Sequence, residues 1–263
     1  MGDMVFTPLI EDMVWSYSRI DTFDDCPYRF FLKYIDGCKE TDMFYASYGS
    51  FMHKLIERYY KKELTKDEML TEFLVGFLNN VKGIRPQQSI VEKYIKNGVD
   101  YLKSFIPFEY NMVDVEKKVE FVIDNKPFIG FIDYLGEKDG EYYIVDNKSR
   151  DLKPRSKRKK PTLKDQELDK MLRQLYIYSA AIKQEYGQFP KSLCFNCFRT
   201  GVFIEEPFRE EAYQETIDWV NKKIEEIKIS DDFYPNYEFF PCNYICGVNN
   251  DCIYYLSEKG GRR

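Results

Sequence analysis

The chain has 263 residues, which is enough for one sizeable hydrophobic core or two modest domains. Hydrophobic residues make up 44% of the chain and charged residues 32%, a composition typical of a globular protein rather than a disordered one. The net charge of -5 excludes a strongly basic protein, so only local basic patches could attract nucleic acid. No apolar run approaches the ~18 residues of a transmembrane helix, and the acidic N-terminus does not resemble a signal peptide. We therefore expect a cytoplasmic protein with no membrane partner.

The first 110 residues predict helices. Residues 16–35 suggest a short helix, a turn at Cys26-Pro27, and a second helix rich in aromatic side chains. Residues 48–63 predict a helix because their apolar residues recur at spacings of three and four. Residues 66–105 predict two or three further helices with a break near 83–86.

The pattern then changes to strands. Residues 115–124 alternate between apolar and polar side chains, as a half-buried strand does. Residues 128–136 and 141–149 predict two more strands, and the turns at 125–127 and 138–140 separate the three. Three strands in series with short turns indicate an antiparallel meander.

The second half of the chain predicts an α/β arrangement. A long helix over 163–187 ends at Gly187, and strands over 192–200 and 202–208 follow. A further amphipathic helix spans 210–228, and the remaining tail is predicted to be loop-like.

We predict three regions that pack as one structural unit. A helical part spans residues 1–110, an α/β core spans 111–230, and a cysteine-rich segment spans 231–263.

The third strand ends in a charged triplet, Asp146-Asn147-Lys148. Residues two apart in a strand face the same side, so Asp146 and Lys148 are predicted to project together. If strands two and three form a hairpin, Asp133 approaches Asp146, and two facing carboxylates indicate a bound cation such as Mg²⁺ or Mn²⁺. A lysine beside that cation could position a water and neutralise negative charge. The alternative is an exposed D-x-K at a strand end, which is common by chance.

This order of elements, with Asp133, Asp146 and Lys148, resembles the core of the PD-(D/E)xK nuclease superfamily. The resemblance implies a restriction-endonuclease-like fold, in which a mixed central sheet is flanked by helices. It also implies that Asp133 and Asp146 bind the metal, that Lys148 is catalytic, and that the backbone carbonyl of Asn147 is a further metal ligand.

Three features resemble the RecB-like branch of that superfamily, which includes AddB-type nuclease domains and CRISPR-associated adaptation nucleases. They are the segment SYSRIDTFDDCPYRFFLKYIDG (16–37), the helical His53, and a Q-x-x-x-Y pair formed by Gln174 and Tyr178. The resemblance implies that His53 supplies a metal nitrogen. It implies that Gln174 contacts phosphate or orders Lys148, with Tyr178 alongside, although Tyr178 also fits an ordinary amphipathic helix.

Two glutamates are weaker candidates for supporting the metal site. Glu120 on the first strand could add a carboxylate near the metal, and Glu57 could orient the His53 imidazole or simply be exposed.

A local basic block, KPRSKRKK, follows the charged triplet. It either forms a solvated loop or contacts the phosphate backbone of DNA. The candidate DNA-binding residues are Lys153, Arg155, Lys157, Arg158, Lys159 and Lys160.

Seven cysteines in a cytoplasmic chain suggest metal ligation rather than disulfides. Cys242, Cys246 and Cys252 cluster in the tail, and the RecB-like resemblance implies that Cys26 joins them around a structural [4Fe–4S] cluster. Zinc at the same four thiolates and an unmetallated tail remain alternatives. Cys38, Cys194 and Cys197 are interpreted as ordinary cysteines, the last two facing opposite sides of a strand.

The leading prediction is a metal-dependent DNA exonuclease acting on single strands or ends, in repair, recombination, phage DNA processing or CRISPR adaptation. Because no G-x-x-x-x-G-K-[ST] motor motif occurs, a helicase, recombinase or CRISPR adaptation protein is a candidate partner. The alternatives are an iron–sulfur DNA-end-binding or partner-docking module with little nuclease activity, and a restriction-type endonuclease.

Overall fold

A computed structural model describes residues 7–260 of the chain and the side chains of residues 9–258. Within this range the helices are α1 (Thr7–Glu11), α2 (Tyr17–Asp25), α3 (Pro27–Phe30), α4 (Phe44–Tyr60), α5 (Lys66–Asn80), α6 (Gln88–Ser104), α7 (Leu163–Tyr186), α8 (Glu210–Lys228), α9 (Phe239–Tyr244) and α10 (Ile253–Gly260). The strands are β1 (Asn111–Ile123), β2 (Lys126–Lys138), β3 (Glu141–Lys148), β4 (Ser192–Cys197) and β5 (Val202–Pro207). A π-helical turn at Phe31–Ile35 follows α3, and a 3₁₀ turn at Asn249–Asp251 precedes α10.

The strands form one mixed sheet in the order β1-β2-β3-β4-β5. Every neighbouring pair is antiparallel except β3 and β4, which are parallel. A parallel pair needs a long crossover, and α7 supplies it between β3 and β4. Thr162 and Asp165 cap the start of α7, and Gly187 ends it in the left-handed conformation at φ 79°. The predicted α/β class and the mixed sheet flanked by helices are confirmed.

Helices cover both faces of the sheet. On β3, Ile144 joins the core formed mainly by α2, α7 and α8, whereas Val145 faces the opposite side. On that opposite side, α4, α5 and α6 pack around their own aromatic core, which includes Phe73. β3 is therefore buried on both faces, so that its C-terminal end places polar residues inside the protein.

Several predicted boundaries change. The strand predicted over 192–200 ends at Cys197, because residues 198–201 turn into β5. The tail predicted as a loop contains α9 and α10, so that prediction is wrong. Cys194 and Cys197 lie in the two cores on opposite sides of the sheet, as their spacing predicts.

The three predicted regions, 1–110, 111–230 and 231–263, remain a prediction. Their first six and last three residues lie outside the described part of the chain. Between residues 7 and 260, no helix has the length and apolar character needed to cross a membrane.

Candidate active site

The site begins where the β2–β3 hairpin brings two aspartates face to face. Tyr134 pairs with Val145, so the next residues along each strand are Asp133 and Asp146. The backbone N–H of Asn147 donates a 2.6 Å hydrogen bond to Asp133 Oδ2, which fixes that carboxylate against the end of β3.

A histidine and a glutamate complete a cluster of oxygen and nitrogen ligands around Asp133. Helix α4 places His53 Nδ1 3.3 Å from Asp133 Oδ2. Glu116 lies opposite Asp133 on β1, where its backbone adopts the left-handed conformation at φ 51°. His53, Glu116 and Asp133 each offer one ligand atom, and these three atoms lie within 4.8 Å of one another. A single ion could therefore contact all three residues. A strained backbone at a non-glycine residue is a frequent property of functional sites.

Burial and crowding of the carboxylates determine the electrostatics. Burial, reinforced by the negative charge of Asp133, raises the pKa of Glu116 to about 7. Burial also raises the pKa of Asp146 to about 6, although the ammonium of Lys148 opposes it. Burial would lower the pKa of His53, but the facing Asp133 outweighs it, so that this pKa lies above its usual value. A bound cation would offset the repulsion between these acids and favour their ionised forms.

Lys148 is held by contacts from two elements. Its Nζ lies 2.7 Å from Asp146 Oδ2 and donates a 2.7 Å hydrogen bond to Gln174 Oε1 on α7. The amide nitrogen of Gln174 donates a 3.3 Å hydrogen bond to the hydroxyl of Tyr178, one turn further along the helix. Gly130 permits this packing, since a Cβ there would lie 2.4 Å from the Tyr178 ring.

The Asn147 side chain points to the other face of the sheet. Its Oδ1 accepts a 2.7 Å hydrogen bond from the amide of Asn196, which also donates to the hydroxyl of Tyr101 at 2.7 Å. This buried network holds the triplet from the face of the sheet opposite Asp133, while the backbone of Asn147 stays in contact with Asp133.

The cluster opens to solvent through a cavity of about 660 Å³. Its lining includes His53, Glu116 and Ser149, the residue that follows Lys148. This volume lies in the range of small-ligand sites, so the cavity can admit a phosphate group and its neighbours.

The structure thus brings together His53, Asp133, Asp146, Asn147, Lys148, Gln174 and Tyr178, which the sequence predicted as one site. The two predicted supporting glutamates differ in position, because Glu57 lines the active-site cavity with His53 and Glu120 does not. Glu120 is an exposed residue of β1 paired with Lys118, and Glu57 pairs with Lys61 rather than with the imidazole. The supporting role predicted for Glu120 is therefore corrected, whereas a role for Glu57 beside the imidazole stays a prediction.

Glu116 occupies the position predicted for Glu120, and sequence reasoning missed it. The signal was the Asp124-Asn125 pair, both residues of which have positive φ. A two-residue turn with that conformation fixes the β1–β2 register, and counting back from it places Glu116 opposite Asp133.

The basic block also divides into two groups. Arg155 is half-buried and bonded to Glu206 at 2.7 Å and to Asp169 at 2.6 Å, so its predicted DNA contact is corrected to a structural role. Lys153 pairs with Asp151 at 2.8 Å. The remaining candidates are exposed to solvent, where DNA could contact them: Lys157, Arg158, Lys159 and Lys160.

The four candidate cluster cysteines converge. Cys26 lies between α2 and α3, and it lines one cavity of about 20 Å³ together with Cys242, Cys246 and Cys252. Cys38 instead donates to Asp36.

Comparison with known proteins agrees with this fold. The family model of the PD-(D/E)XK nuclease superfamily matches residues 14–253, and the chain belongs to that superfamily. No match is found among curated protein sequences.

Two solved structures are similar to the chain over nearly its whole length. One is a protein from Eubacterium rectale described as "Putative exonuclease", with 11% identity, a TM-score of 0.53, and coverage of 95% of this chain and 92% of that one. The other is SSO0001, with 14% identity, a TM-score of 0.29, and coverage of 97% and 98%. At this identity the first similarity shows the fold alone.

Proposed function

We propose that the protein is a metal-dependent nuclease that hydrolyses phosphodiester bonds in DNA, acting as an exonuclease on single strands or ends. The observation that carries the proposal is the convergence of His53, Glu116 and Asp133 beside the Asp146–Lys148 pair at the end of β3. A protein that only binds DNA has no need for an ordered lysine next to a cluster of buried acids.

The residues fit a divalent cation of the Mg²⁺ or Mn²⁺ type. Carboxylate oxygens suit both ions, and the histidine nitrogen suits Mn²⁺ better. His53, Asp133, Asp146 and the Asn147 carbonyl would hold the ion, and Glu116 is added to the set that the sequence suggested. When bound, the cation would make a water more acidic and neutralise charge on the reacting phosphate.

The remaining chemistry belongs to side chains of this chain. Lys148, held by Asp146 and Gln174, would donate a hydrogen bond to the attacking water and stabilise negative charge as it develops on phosphate oxygens. Gln174 would fix the direction of that ammonium, and Tyr178 would fix Gln174. The exposed lysines and Arg158 of the basic loop would attract the DNA backbone through long-range charge.

We assign the protein to the RecB-like branch of the superfamily as part of this proposal. Support comes from His53 on α4 and from the Gln174–Tyr178 pair on α7, two features in which the sequence resembles that branch. A cytoplasmic protein of this branch would act beside a helicase, a recombinase or a CRISPR adaptation protein.

A [4Fe–4S] cluster at Cys26, Cys242, Cys246 and Cys252 is the second cofactor we propose. Its support is that all four side chains line one cavity. A zinc ion holds its thiolates ~3.8 Å apart, given a Zn–S bond of ~2.3 Å. Among the described cysteines, no three Sγ atoms lie within 4.8 Å of one another. Zinc at the same thiolates is the alternative, and colour together with iron and zinc content after anaerobic purification distinguishes the two.

The function is tested by cleavage of single-stranded oligonucleotides labelled at the 5′ or the 3′ end, with Mn²⁺ and with a chelator. We expect metal-dependent release of mononucleotides from one end, and the label that is lost first gives the polarity. A circular duplex is the control, because an exonuclease leaves it intact whereas a restriction-type endonuclease cuts it into discrete fragments. Tight binding of DNA ends without any cleavage in Mn²⁺ would contradict the nuclease and support the binding module.

A further inference from the structure

A second cavity continues from the active-site cavity. The active-site cavity of about 660 Å³ shares Tyr45, Ala46 and Ser149 with a neighbouring cavity of about 730 Å³. We call this second cavity the side channel. It runs from Ser149, next to the catalytic triplet, toward Phe240 on α9.

Aromatic rings form one wall of the side channel. The ring centroids of Tyr45 and Phe240 are 5.6 Å apart, and Phe240 also packs 5.4 Å from Tyr244. These contacts hold the Phe240 ring in place, yet half of this residue (50%) remains exposed. A fixed aromatic ring with an open side is the kind of surface on which unpaired bases stack.

Two arginines in the side channel have no acidic partner. Arg199 is held over the ring of Tyr94, with its guanidinium carbon 5.6 Å from the centroid and a 3.1 Å hydrogen bond from Nη1 to the hydroxyl. Arg150 is exposed beside Ser149. Within the described part of the chain, no carboxylate oxygen lies within 4.0 Å of a side-chain nitrogen of Arg150 or Arg199.

Most of the acids that line the side channel are already paired with lysines. Asp25, Asp151 and Glu167 line it, and each is paired with a lysine at 2.7–2.8 Å. Glu238 is the fourth lining carboxylate and is exposed. Neither guanidinium forms a direct ion pair with these acids, so both can donate hydrogen bonds to phosphate oxygens.

We propose that the side channel binds a single nucleic-acid strand adjoining the scissile phosphate, with an unpaired base stacked on Phe240 and backbone phosphates on Arg199 and Arg150. This inference rests on the proposed nuclease function and adds the path of the strand. A duplex does not meet the requirement, because its paired bases are stacked on one another and cannot lie flat on a protein ring.

Equilibrium binding in a chelator tests the channel without any cleavage. The probe is a fluorescein-labelled single strand of oligothymidylate, and the readout is anisotropy. Phe240→Ala should weaken binding about tenfold, equivalent to ~1.4 kcal/mol, within the range for loss of one stacked base. The matched control is Phe239→Ala, since Phe239 is a neighbouring exposed ring (58%) that does not line the channel. Equal binding by the two variants would overturn the proposal.

The arginines have a charge-matched test. Arg199→Gln should weaken binding and flatten its salt dependence by about one unit of slope, whereas the exposed Arg85→Gln, which does not line the channel, should do neither. A blunt duplex of two fully paired strands is the second probe. The Phe240→Ala effect should be absent there, and an equal loss on duplex and single strand would contradict stacking on unpaired bases.

Cleavage then separates this inference from the proposed function. With Mn²⁺, Phe240→Ala should raise KM for the oligonucleotide but leave hydrolysis of bis-p-nitrophenyl phosphate unchanged, since that small diester does not reach Phe240. If the wild-type protein cleaves neither substrate, the proposed function fails while the binding result still decides the channel. If the wild type cleaves both and the variant's KM is unchanged, the channel fails alone.

Discussion

The hydrogen bond between Lys148 and Gln174 makes a quantitative prediction about the rate of cleavage. Gln174→Leu keeps the approximate shape of the side chain and removes the oxygen that accepts from Lys148 Nζ at 2.7 Å. A hydrogen bond to a charged group contributes ~1.5–3 kcal/mol. Lys148 would remain attached to Asp146, but its ammonium could rotate away from the reacting phosphate.

If all of that energy serves to position the ammonium in the transition state, kcat should fall ~10- to 150-fold. KM should change little, because Gln174 contacts Lys148 and Tyr178 rather than distant parts of the substrate. Gln174→Glu keeps an oxygen acceptor and should recover most of the rate. Tyr178→Phe removes only a 3.3 Å contact and should lower the rate less than tenfold.

The assay is single-turnover cleavage of an end-labelled single strand in saturating Mn²⁺, with thermal unfolding measured in parallel. A Gln174→Leu protein that is folded and cleaves at the wild-type rate would refute the role of Gln174 in ordering Lys148. A loss of rate that Gln174→Glu does not recover would indicate that the oxygen acceptor is not what matters.

The remaining predictions concern residues that the structure reassigns. Glu116→Gln should raise the Mn²⁺ concentration needed for half-maximal cleavage, because it removes a charged ligand atom. Glu120→Gln should need the same concentration as the wild type. A higher Mn²⁺ requirement in Glu120→Gln than in Glu116→Gln would contradict the ligand set. Arg155→Met should lower the free energy of unfolding by ~2–4 kcal/mol in urea titrations, because it leaves the buried carboxylate of Glu206 (8% exposed) without its cation. Lys157→Met should leave stability unchanged and reduce only the salt dependence of DNA binding; equal stability of the two variants would contradict the structural role of Arg155.

The order of elements was accessible from the sequence because local patterns determine it. The alternating residues of β1 and the long apolar periodicity of α7 are strong local signals, and the short turns between β1, β2 and β3 leave antiparallel pairing as the simplest connection. The proximity of Asp133, Asp146 and Lys148 followed from the hairpin alone. The helices of the tail were missed, because α9 is a six-residue helix that contains a proline and has no apolar periodicity.

Contacts between distant segments could not be predicted in this way. Glu116 was missed because the pairing that sets it opposite Asp133 depends on which residues form the β1–β2 turn, and this turn is Asp124-Asn125 rather than the predicted 125–127. Arg155 was assigned to DNA because a run of basic residues looks uniform in sequence. Its partner Glu206 lies on β5, about fifty positions away, and only the folded sheet brings the two together.

We expect Asp146 and Lys148 to act together in metal-dependent cleavage, and replacing each of them in turn tests this expectation. Asp146→Asn and Lys148→Met keep side-chain volume close to that of the original residues, and both proteins should remain folded by circular dichroism. We predict that in Mn²⁺ the wild-type protein degrades an end-labelled single strand from one end. Each variant should cleave at least a thousandfold more slowly. The wild type should be inactive in a chelator. Wild-type rates in either folded variant, or cleavage that persists in the chelator, would contradict a metal-dependent reaction that needs both residues.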